Sequence, residues 1–477
     1  MNVSRKPAAA CLTAARTPRA GATEIHAMLP GDALLLEDIG TRWRGDAEIE
    51  DPSVKKINLF VFAAHHLSGN IAAQRFRALL KYLDPAKYRV FVLTREPAAG
   101  VHAANAATGP ETSIHAFPGR CVGSESSAAA SALALTAAFV HSLPAMLANG
   151  DAQTRPWFAL AWAEADRLCG ERLAEGEPCV AIGTYSPVDA LIAAAALASR
   201  RRIACLQDFR DGLVFESLGR GGRLRDFARR AIERRVVAPA ALITSVSRPL
   251  VEDFRRRYPD KATVNLPNGF DPDDFARLPA DTGSAGRAAA ILAQQVPAGA
   301  QLIGHFGRIG ASDSSASNSL DCFVDLLNGA PELAAGRHVM FVGELTEAER
   351  ASLRRARFSV GMLGPVERAL ALQLMRRCDK LLLLTGTRTS CATGKLFEYL
   401  AAGAPVVCVS GVPNEATAIL DETGAGQSLL TSVAAGGEAL RAALAPAPAN
   451  VRRDVSTYSR IVQAGLLDRW LAHMVAA

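Results

Sequence analysis

The chain has 477 residues, of which 49% are hydrophobic and 21% charged, and its formal net charge is +6. This length exceeds one ordinary domain and the apolar content excludes a largely disordered chain, so we expect two globular domains. The nine cysteines contain no Cys-x-x-Cys pair, and the nine histidines show no metal-ligand spacing. These patterns argue against a disulfide framework and predict no metal site.

The first 54 residues lack a sustained hydrophobic period, so residues 1–54 are predicted to form a poorly ordered extension in which Met28 is a second candidate start. A secretory signal is not expected, because the short apolar run near the N-terminus is followed by Arg16 and Arg19. Residues 128–147 are apolar but carry Ser, Thr, His and Pro, which favours a buried helix over a membrane span. We therefore expect a cytoplasmic protein.

A strand, a glycine turn, a helix and a second strand follow one another from Ile57 onward. Continuous apolar runs are typical of strands buried on both faces, and this order predicts βαβ units in a parallel sheet. Residues 55–271 are thus predicted to form a Rossmann-like first domain. Its predicted strands are 57–64, 88–94, 180–185, 202–208 and 241–247, and its predicted helices are 71–83, 188–199, 224–238 and one that follows the last strand and runs through Tyr258.

The same alternation begins again at Gln301, after a polar and small-residue stretch at 272–299 that we interpret as the interdomain connection. Residues 300–451 are predicted to form a second Rossmann-like domain, and residues 452–477 a C-terminal helix. The predicted fold class is therefore α/β, with two doubly wound domains facing a cleft at the carboxyl ends of their strands. In the second domain, the predicted strands begin near residues 301, 338, 358, 380 and 404, and the predicted helices begin near residues 319, 347, 369, 394 and 418.

Arginines are concentrated between Arg220 and Arg257. This pattern fits a solvated helix face, and it also fits a peripheral contact with the anionic inner membrane. Nucleic acid is not expected as a partner, because no aromatic stacking platform accompanies the charge.

Two segments of the second domain have the chemistry of an anion site. Residues 304–310 read GHFGRIG, a glycine turn after a strand, where free backbone N–H groups and Arg308 would suit a diphosphate. Residues 385–394 form a loop between a strand and a helix, and Lys395 stands at the start of that helix. A cation there is disfavoured by the helix dipole unless an anion binds, and Glu398 follows one turn later.

The segment 394–407, GKLFEYLAAGAPVV, resembles the donor-site helix of family-4 glycosyltransferases of the GT-B fold. The junction at Asn268, Gly269 and Asp271 and the FGRIG turn also resemble that family. The resemblance extends at fold level from about Ile57 to Leu471, and it implies a C-terminal helix that crosses back to the first domain.

The resemblance implies transfer of a hexosyl-type sugar from a nucleotide-diphosphate donor to a saccharide or glycolipid acceptor, in surface polysaccharide biosynthesis. No cofactor beyond this co-substrate is implied. On the acceptor side it points to Asp208 and Asp211 as catalytic candidates. On the donor side it assigns Arg308 to the diphosphate and Glu398 to the ribose, with the remaining predicted positions at Gly69, Leu363, Gly364, Val366, Ser390, Gly394 and Lys395.

This sequence departs from the family pattern at two places. Many members have two glutamates separated by seven residues, and the first of these positions is Ser390 here. Many members also have a lysine soon after the Gly-Arg turn, where this chain has none, although Lys395 would supply a charge from another direction. Two alternatives therefore stay open, a sugar-nucleotide epimerase of the same fold and a non-catalytic nucleotide-sugar-binding protein.

Overall fold

The computed structural model describes residues 55–68, 71–96, 111–118, 155–217, 222–279, 281–310, 315–431, 437–446 and 454–476. The predicted extension at 1–54 and the apolar stretch at 128–147 lie outside these residues. Across the described ranges, no helix has both the length and the apolar character needed to cross a bilayer.

Within the described residues, the first sheet has seven strands, all parallel, in the order β3-β2-β1-β4-β5-β6-β7. Its central strands are continuous apolar runs because helices cover both faces of the sheet. The strands are β1 (Ile57–Phe62), β2 (Tyr88–Arg95), β3 (Glu111–Phe117), β4 (Cys179–Tyr185), β5 (Ala204–Phe209), β6 (Leu242–Ser245) and β7 (Ala262–Asn265).

The second sheet has six strands in the part of the chain that the structure describes, also all parallel, in the order β10-β9-β8-β11-β12-β13. In both sheets the strand order reverses beside the first strand, and ligands bind at such switch points in open parallel sheets. The strands are β8 (Gln301–Phe306), β9 (Arg337–Val342), β10 (Ser359–Leu363), β11 (Lys380–Leu384), β12 (Val406–Ser410) and β13 (Gly426–Leu430).

Helices pack on both sheets and bury separate hydrophobic cores, one of them around Phe60, Phe91 and Trp157 in the first half. The helices of the first half are α1 (Ile71–Lys81), α2 (Arg155–Ala174), α3 (Val188–Arg201), α4 (Arg223–Val237) and α5 (Arg248–Arg257). Those that follow are α6 (Pro272–Ala276), α7 (Thr282–Gln295), α8 (Ala316–Asn328), α9 (Pro331–Ala334), α10 (Glu347–Arg354), α11 (Arg368–Met375), α12 (Gly394–Ala402), α13 (Glu415–Thr423), α14 (Gly437–Leu444) and α15 (Arg460–Ala476).

The stretch interpreted as the interdomain connection contains two helices, α6 and α7. Asp271 caps α6 by accepting a hydrogen bond from the Asp273 N–H, and Asp281 caps α7 by accepting one from the Ser284 N–H. Helix α7 packs against α11 of the second half, with Ala288 buried in that core. This stretch is therefore integrated into the second half and is more regular than its small and polar composition suggests.

The C-terminal helix α15 packs against α1 and β4, as expected of a helix that crosses back to the first domain. The Tyr88 hydroxyl donates to the Asp468 carboxylate at 2.8 Å. The chain crosses between the two halves twice, once near Phe270 and once near Tyr458 and Arg460, and these two crossings lie side by side. The Phe270 N–H donates to the Tyr458 carbonyl, and the Arg460 N–H donates to the Phe270 carbonyl, both at 3.0 Å. Gly269 is required there, because a Cβ would lie 2.3 Å from the Tyr458 oxygen.

Candidate active site

A cavity of about 740 Å³ lies between the carboxyl ends of the strands of the two sheets. The first half lines it with residues that follow β1, β4 and β5, and the second half with residues that follow β8, β9, β10 and β11. Of the predicted site residues, seven line this cavity: Asp211, Arg308, Val366, Ser390, Gly394, Lys395 and Glu398.

Two glycine turns form the floor of the second-half side. Gly307 follows β8 with φ +81° and Gly343 follows β9 with φ +136°, backbone conformations that strongly favour glycine. The turns touch, because a Cβ on Gly343 would lie 3.0 Å from the Gly307 Cα. The next residue, Arg308, has an exposed side chain, 68% accessible, whose Nε lies 3.5 Å from a Glu344 carboxylate oxygen. Its guanidinium is therefore available at the mouth of the cavity.

The N-terminus of α12 faces the same region. Thr393, Gly394 and Lys395 line the cavity, and the Thr393 side chain makes no capping hydrogen bond to the helix. Lys395 donates from Nζ to the Arg308 carbonyl at 2.7 Å, which joins the helix start to the glycine turn. Desolvation lowers the pKa of Lys395 to about 8, against the opposing effect of Cys391 and Glu398. A helix N-terminus with an adjacent amine is well suited to an anion.

Glu398 lies one turn into α12 and is held by Arg368. The Arg368 Nη1 lies 2.5 Å from the Glu398 carboxylate, and its Nη2 lies 2.7 Å from Asp274. The adjacent Tyr399 is fully buried, and its hydroxyl accepts a hydrogen bond from the Phe306 N–H at 2.8 Å. This anchor fixes α12 to the end of β8 and leaves Glu398 facing the cavity.

The turn at residues 363–366, which the resemblance places on the donor side, is only partly on the cavity. Val366 lines it, whereas Leu363 and Gly364 do not. Leu363 ends β10, packs against the core, and accepts the Gly343 N–H through its carbonyl at 2.9 Å. Leu363 thus stabilises the neighbouring glycine turn at Gly343. Gly69 lies outside the residues that the structure describes.

Asp208 needs a correction to the acceptor-side role predicted from sequence. Its carboxylate is completely buried and accepts hydrogen bonds from Arg75 at 2.7 and 3.2 Å, from Thr184 at 3.0 Å and from Thr244 at 2.8 Å. Arg75 also donates to the Leu266 and Pro267 carbonyls, at 2.7 and 2.9 Å. Asp208 does not line the cavity, and both of its carboxylate oxygens already accept hydrogen bonds. Its role is therefore structural, because it holds Arg75 of α1 against the sheet.

Asp211 does face the cavity, at the end of β5. Burial raises the pKa of its carboxyl above the usual range, against the opposing charges of Arg388 and Arg210. The Arg388 Nη1 lies 3.6 Å from the Asp211 carboxylate. His65, which follows β1, also lines the cavity, and burial together with Arg95 and Arg210 lowers its pKa to about 4, so it is neutral near pH 7.

Ser390 lines the cavity, and its hydroxyl is bound by a carboxylate from the other half of the chain. The Ser390 Oγ donates to Glu216 at 2.7 Å.

Sequence reasoning missed Glu216, as well as Arg368, Arg388, Arg210 and His65. His65 and Arg210 follow predicted strands, a position that could have drawn attention to them. Arg388 also follows a predicted strand, in the loop of residues 385–394, whereas Glu216 and Arg368 depend on contacts between segments distant in sequence, for which the sequence carries no local signal.

Among the residues that the structure describes, no group of three or more His, Cys, Asp or Glu side chains is arranged to hold a metal ion.

Residues 72–269 match the glycosyl transferase 4-like domain family. No curated protein sequence matches the chain. Among solved structures, HepE of Anabaena in complex with UDP and glucose is similar, with a TM-score of 0.53 at 14% identity over 88% of this chain and 99% of HepE. Sucrose-phosphate synthase of Thermosynechococcus elongatus has a TM-score of 0.51 at 16% identity, over 88% of this chain and 97% of that one.

The UDP-forming trehalose-phosphate synthase of Burkholderia xenovorans, in complex with glucose 6-phosphate, has a TM-score of 0.53 at 13% identity, over 87% of this chain and all of that one. These likenesses span both sheets and confirm the predicted fold. The chain therefore has the GT-B fold of these structures, and its residues 72–269 match the glycosyl transferase 4-like domain family.

Proposed function

We propose that the chain transfers a hexosyl-type sugar from a nucleotide-diphosphate donor to a hydroxyl of a saccharide or lipid-linked acceptor. The observation that carries this proposal is the convergence of Arg308, Lys395 and Glu398 on one side of the cavity, beside the N-terminus of α12. Two cations and a helix N-terminus suit a diphosphate, and a carboxylate one turn away suits a pair of ribose hydroxyls.

In the proposed reaction the chemistry depends on charge. The diphosphate gains negative charge as the glycosidic bond breaks, and Arg308, Lys395 and the first backbone N–H groups of α12 would stabilise it. With these groups in place we propose a reaction that needs no metal and no further cofactor. Turnover in the presence of excess EDTA tests this point, and an activity that disappears with EDTA and returns with a divalent cation would contradict it.

On the first-half side, Asp211 is the residue that we propose for the acceptor. Burial raises the pKa of the Asp211 carboxyl and so makes its carboxylate a stronger base, which suits it to accept a proton from a sugar hydroxyl. Neutral His65 lines the same side and can exchange hydrogen bonds with that hydroxyl.

We further propose that α4 lies against the anionic cytoplasmic face of the membrane, where a lipid-linked acceptor of surface polysaccharide assembly would be found. Leu224 and Phe227 are among the most exposed large apolar side chains, at 70% and 71%, and they lie one turn apart. Arginines 223, 230 and 234 are exposed on the same helix. Apolar side chains flanked by arginines favour an anionic lipid surface.

Flotation with vesicles of phosphatidylglycerol and phosphatidylcholine tests this contact. The wild-type protein should float with the anionic vesicles, and Phe227→Ser should float less. Equal flotation of the two proteins, or no flotation with anionic lipid, would contradict the membrane proposal. Neither result would bear on the proposed donor site.

The donor proposal is tested by calorimetric titration with UDP, GDP and ADP, followed by a hydrolysis and transfer assay with the corresponding sugar nucleotides. We expect one nucleoside diphosphate to bind, and Arg308→Ala to weaken that binding. Arg354→Ala is the matched control, because Arg354 is an exposed arginine on α10 that pairs with Glu347 away from the cavity. Failure of all three nucleotides to bind, or equal binding by both variants, would overturn the assignment.

A further inference from the structure

The carboxylate of Glu216 joins the two halves of the chain at the edge of the cavity. Glu216 lies in the segment between β5 and α4 and reaches the loop between β11 and α12. One of its oxygens accepts the Thr389 N–H and hydroxyl, both at 2.8 Å, and the other accepts the Ser390 N–H at 3.0 Å and hydroxyl at 2.7 Å.

These four hydrogen bonds use the in-plane lone pairs of both oxygens, so Glu216 has little capacity left to bind a substrate hydroxyl. Glu216 is also absent from the cavity lining, whereas Arg388 and Ser390 belong to it. Its effect on a reaction would therefore be exerted through the loop that it holds.

The backbone of Glu216 supports a specialised role for this contact. Glu216 has φ +45°, a left-handed conformation that is uncommon for a residue with a Cβ and is retained when the surroundings fix it. Burial alone would raise the pKa of Glu216, but the hydrogen bonds from Ser390 and Thr389 outweigh it and hold the pKa below its usual range. The carboxylate is thus ionised at neutral pH, as four donors require.

The same loop also touches the proposed acceptor side. Arg388 lies 3.6 Å from Asp211 and 4.0 Å from Glu216, so one short segment of the second half is held by two acids of the first. Ser390 is the position at which the resemblance discussed above expects a glutamate. A carboxylate is therefore present beside this position, but it comes from the opposite half of the chain.

We propose that Glu216 is a positioning residue for sugar transfer: it holds the loop of residues 388–393 against the first half and so fixes the donor side of the cleft relative to Asp211. This inference rests on the proposed function. A glutamate introduced at Ser390 would place two carboxylates together and repel Glu216, so Ser390→Glu is expected to disrupt the loop and not to restore a family-like site.

Three variants test the proposal: Glu216→Ala, Glu216→Gln and the control Glu422→Gln. Glu422 also links the two halves, through Arg248, but it does not touch the loop. Glutamine preserves the shape of glutamate, yet its NH₂ group would face N–H donors. We therefore expect Gln to be no better than Ala, whereas a role in packing alone would make Gln nearly neutral.

Hydrogen–deuterium exchange of the Thr389 and Ser390 amides is the first measurement, since it needs no donor. Both Glu216 variants should accelerate exchange at these amides at least tenfold, with the control unchanged. Turnover with the donor found in the nucleotide panel is the second measurement. We expect kcat to fall at least tenfold, while the Kd for UDP, or for the nucleotide found to bind, changes less than threefold.

These results separate the two proposals. Absence of nucleotide binding by the wild-type protein would defeat the proposed function, whereas unchanged amide exchange would defeat the role of Glu216 irrespective of the donor. A kcat within twofold of wild type in Glu216→Ala, or a near-neutral Glu216→Gln, would also overturn the positioning role.

Discussion

Replacement of Glu398 by alanine should separate nucleotide binding from stability. In the proposed complex, the Glu398 carboxylate accepts ribose hydroxyls, and a hydrogen bond to a charged group contributes about 1.5–3 kcal/mol. Its loss would weaken binding about 10- to 150-fold. The protein itself should lose little, because Arg368 keeps Asp274 through Nε at 3.0 Å and Nη2 at 2.7 Å. We expect a cost of about 1 kcal/mol from the lost pair, which lies at a partly open rim.

Calorimetric titration with UDP, or with the nucleotide identified in the panel, measures the first effect, and thermal unfolding measures the second. The melting temperature should fall by less than about 4 °C. Asp274→Asn is the control, because it removes the other partner of Arg368 and leaves the proposed ribose acceptor, so nucleotide affinity should change less than about threefold. The reasoning is refuted if Glu398→Ala binds nucleotide within twofold of wild type, or if both variants weaken binding equally.

Three further outcomes are expected. Nucleotide affinity should fall as pH rises from 7 to 9, because Lys395, with a pKa of about 8, loses its charge in this range. Lys395→Arg should flatten this dependence of affinity on pH, because arginine keeps its charge. The same dependence in both proteins would contradict this reasoning. Gly343→Ala should destabilise the protein by about 1–3 kcal/mol more than Gly336→Ala, a control that also has positive φ but open space around its Cβ, as denaturant titration would show. Asp208→Ala should lower the free energy of unfolding by about 3–5 kcal/mol, because it leaves the buried Arg75 guanidinium without its carboxylate partner. Asp211→Asn should change the free energy of unfolding by less than about 1 kcal/mol but abolish turnover. The opposite pattern would reverse the two roles.

The central strands could be predicted from the sequence because parallel strands buried on both faces are continuous apolar runs, as in β1, β4 and β11. The edge strands β3, β7 and β13 were not predicted. Strand β3, ETSIHAF, alternates polar and apolar residues and is only partly buried, and β13, GQSLL, is short and contains few apolar residues. An edge strand has a neighbour on one side only, so its sequence carries a weaker signal.

That Arg308, Lys395 and Glu398 line one cavity could be predicted because they lie in two short segments next to predicted strands; their roles toward a donor stay predictions. The acceptor half could be predicted less well. Asp208 and Asp211 lie three residues apart, but only the structure shows that Arg75, 133 positions away, binds the first of them. Glu216 pairs with residues 173 and 174 positions away. Such pairings depend on how whole elements pack, which local sequence does not encode.

The two neighbouring chain crossings have a mechanical consequence. Because the backbone near Phe270 is hydrogen-bonded to that of Tyr458 and Arg460, displacement of one crossing would disrupt its hydrogen bonds to the other, so we expect the two crossings to move together. A chain ending before Arg460 would lose one of the two crossings, and with it both the alignment of the halves and the helix that covers α1.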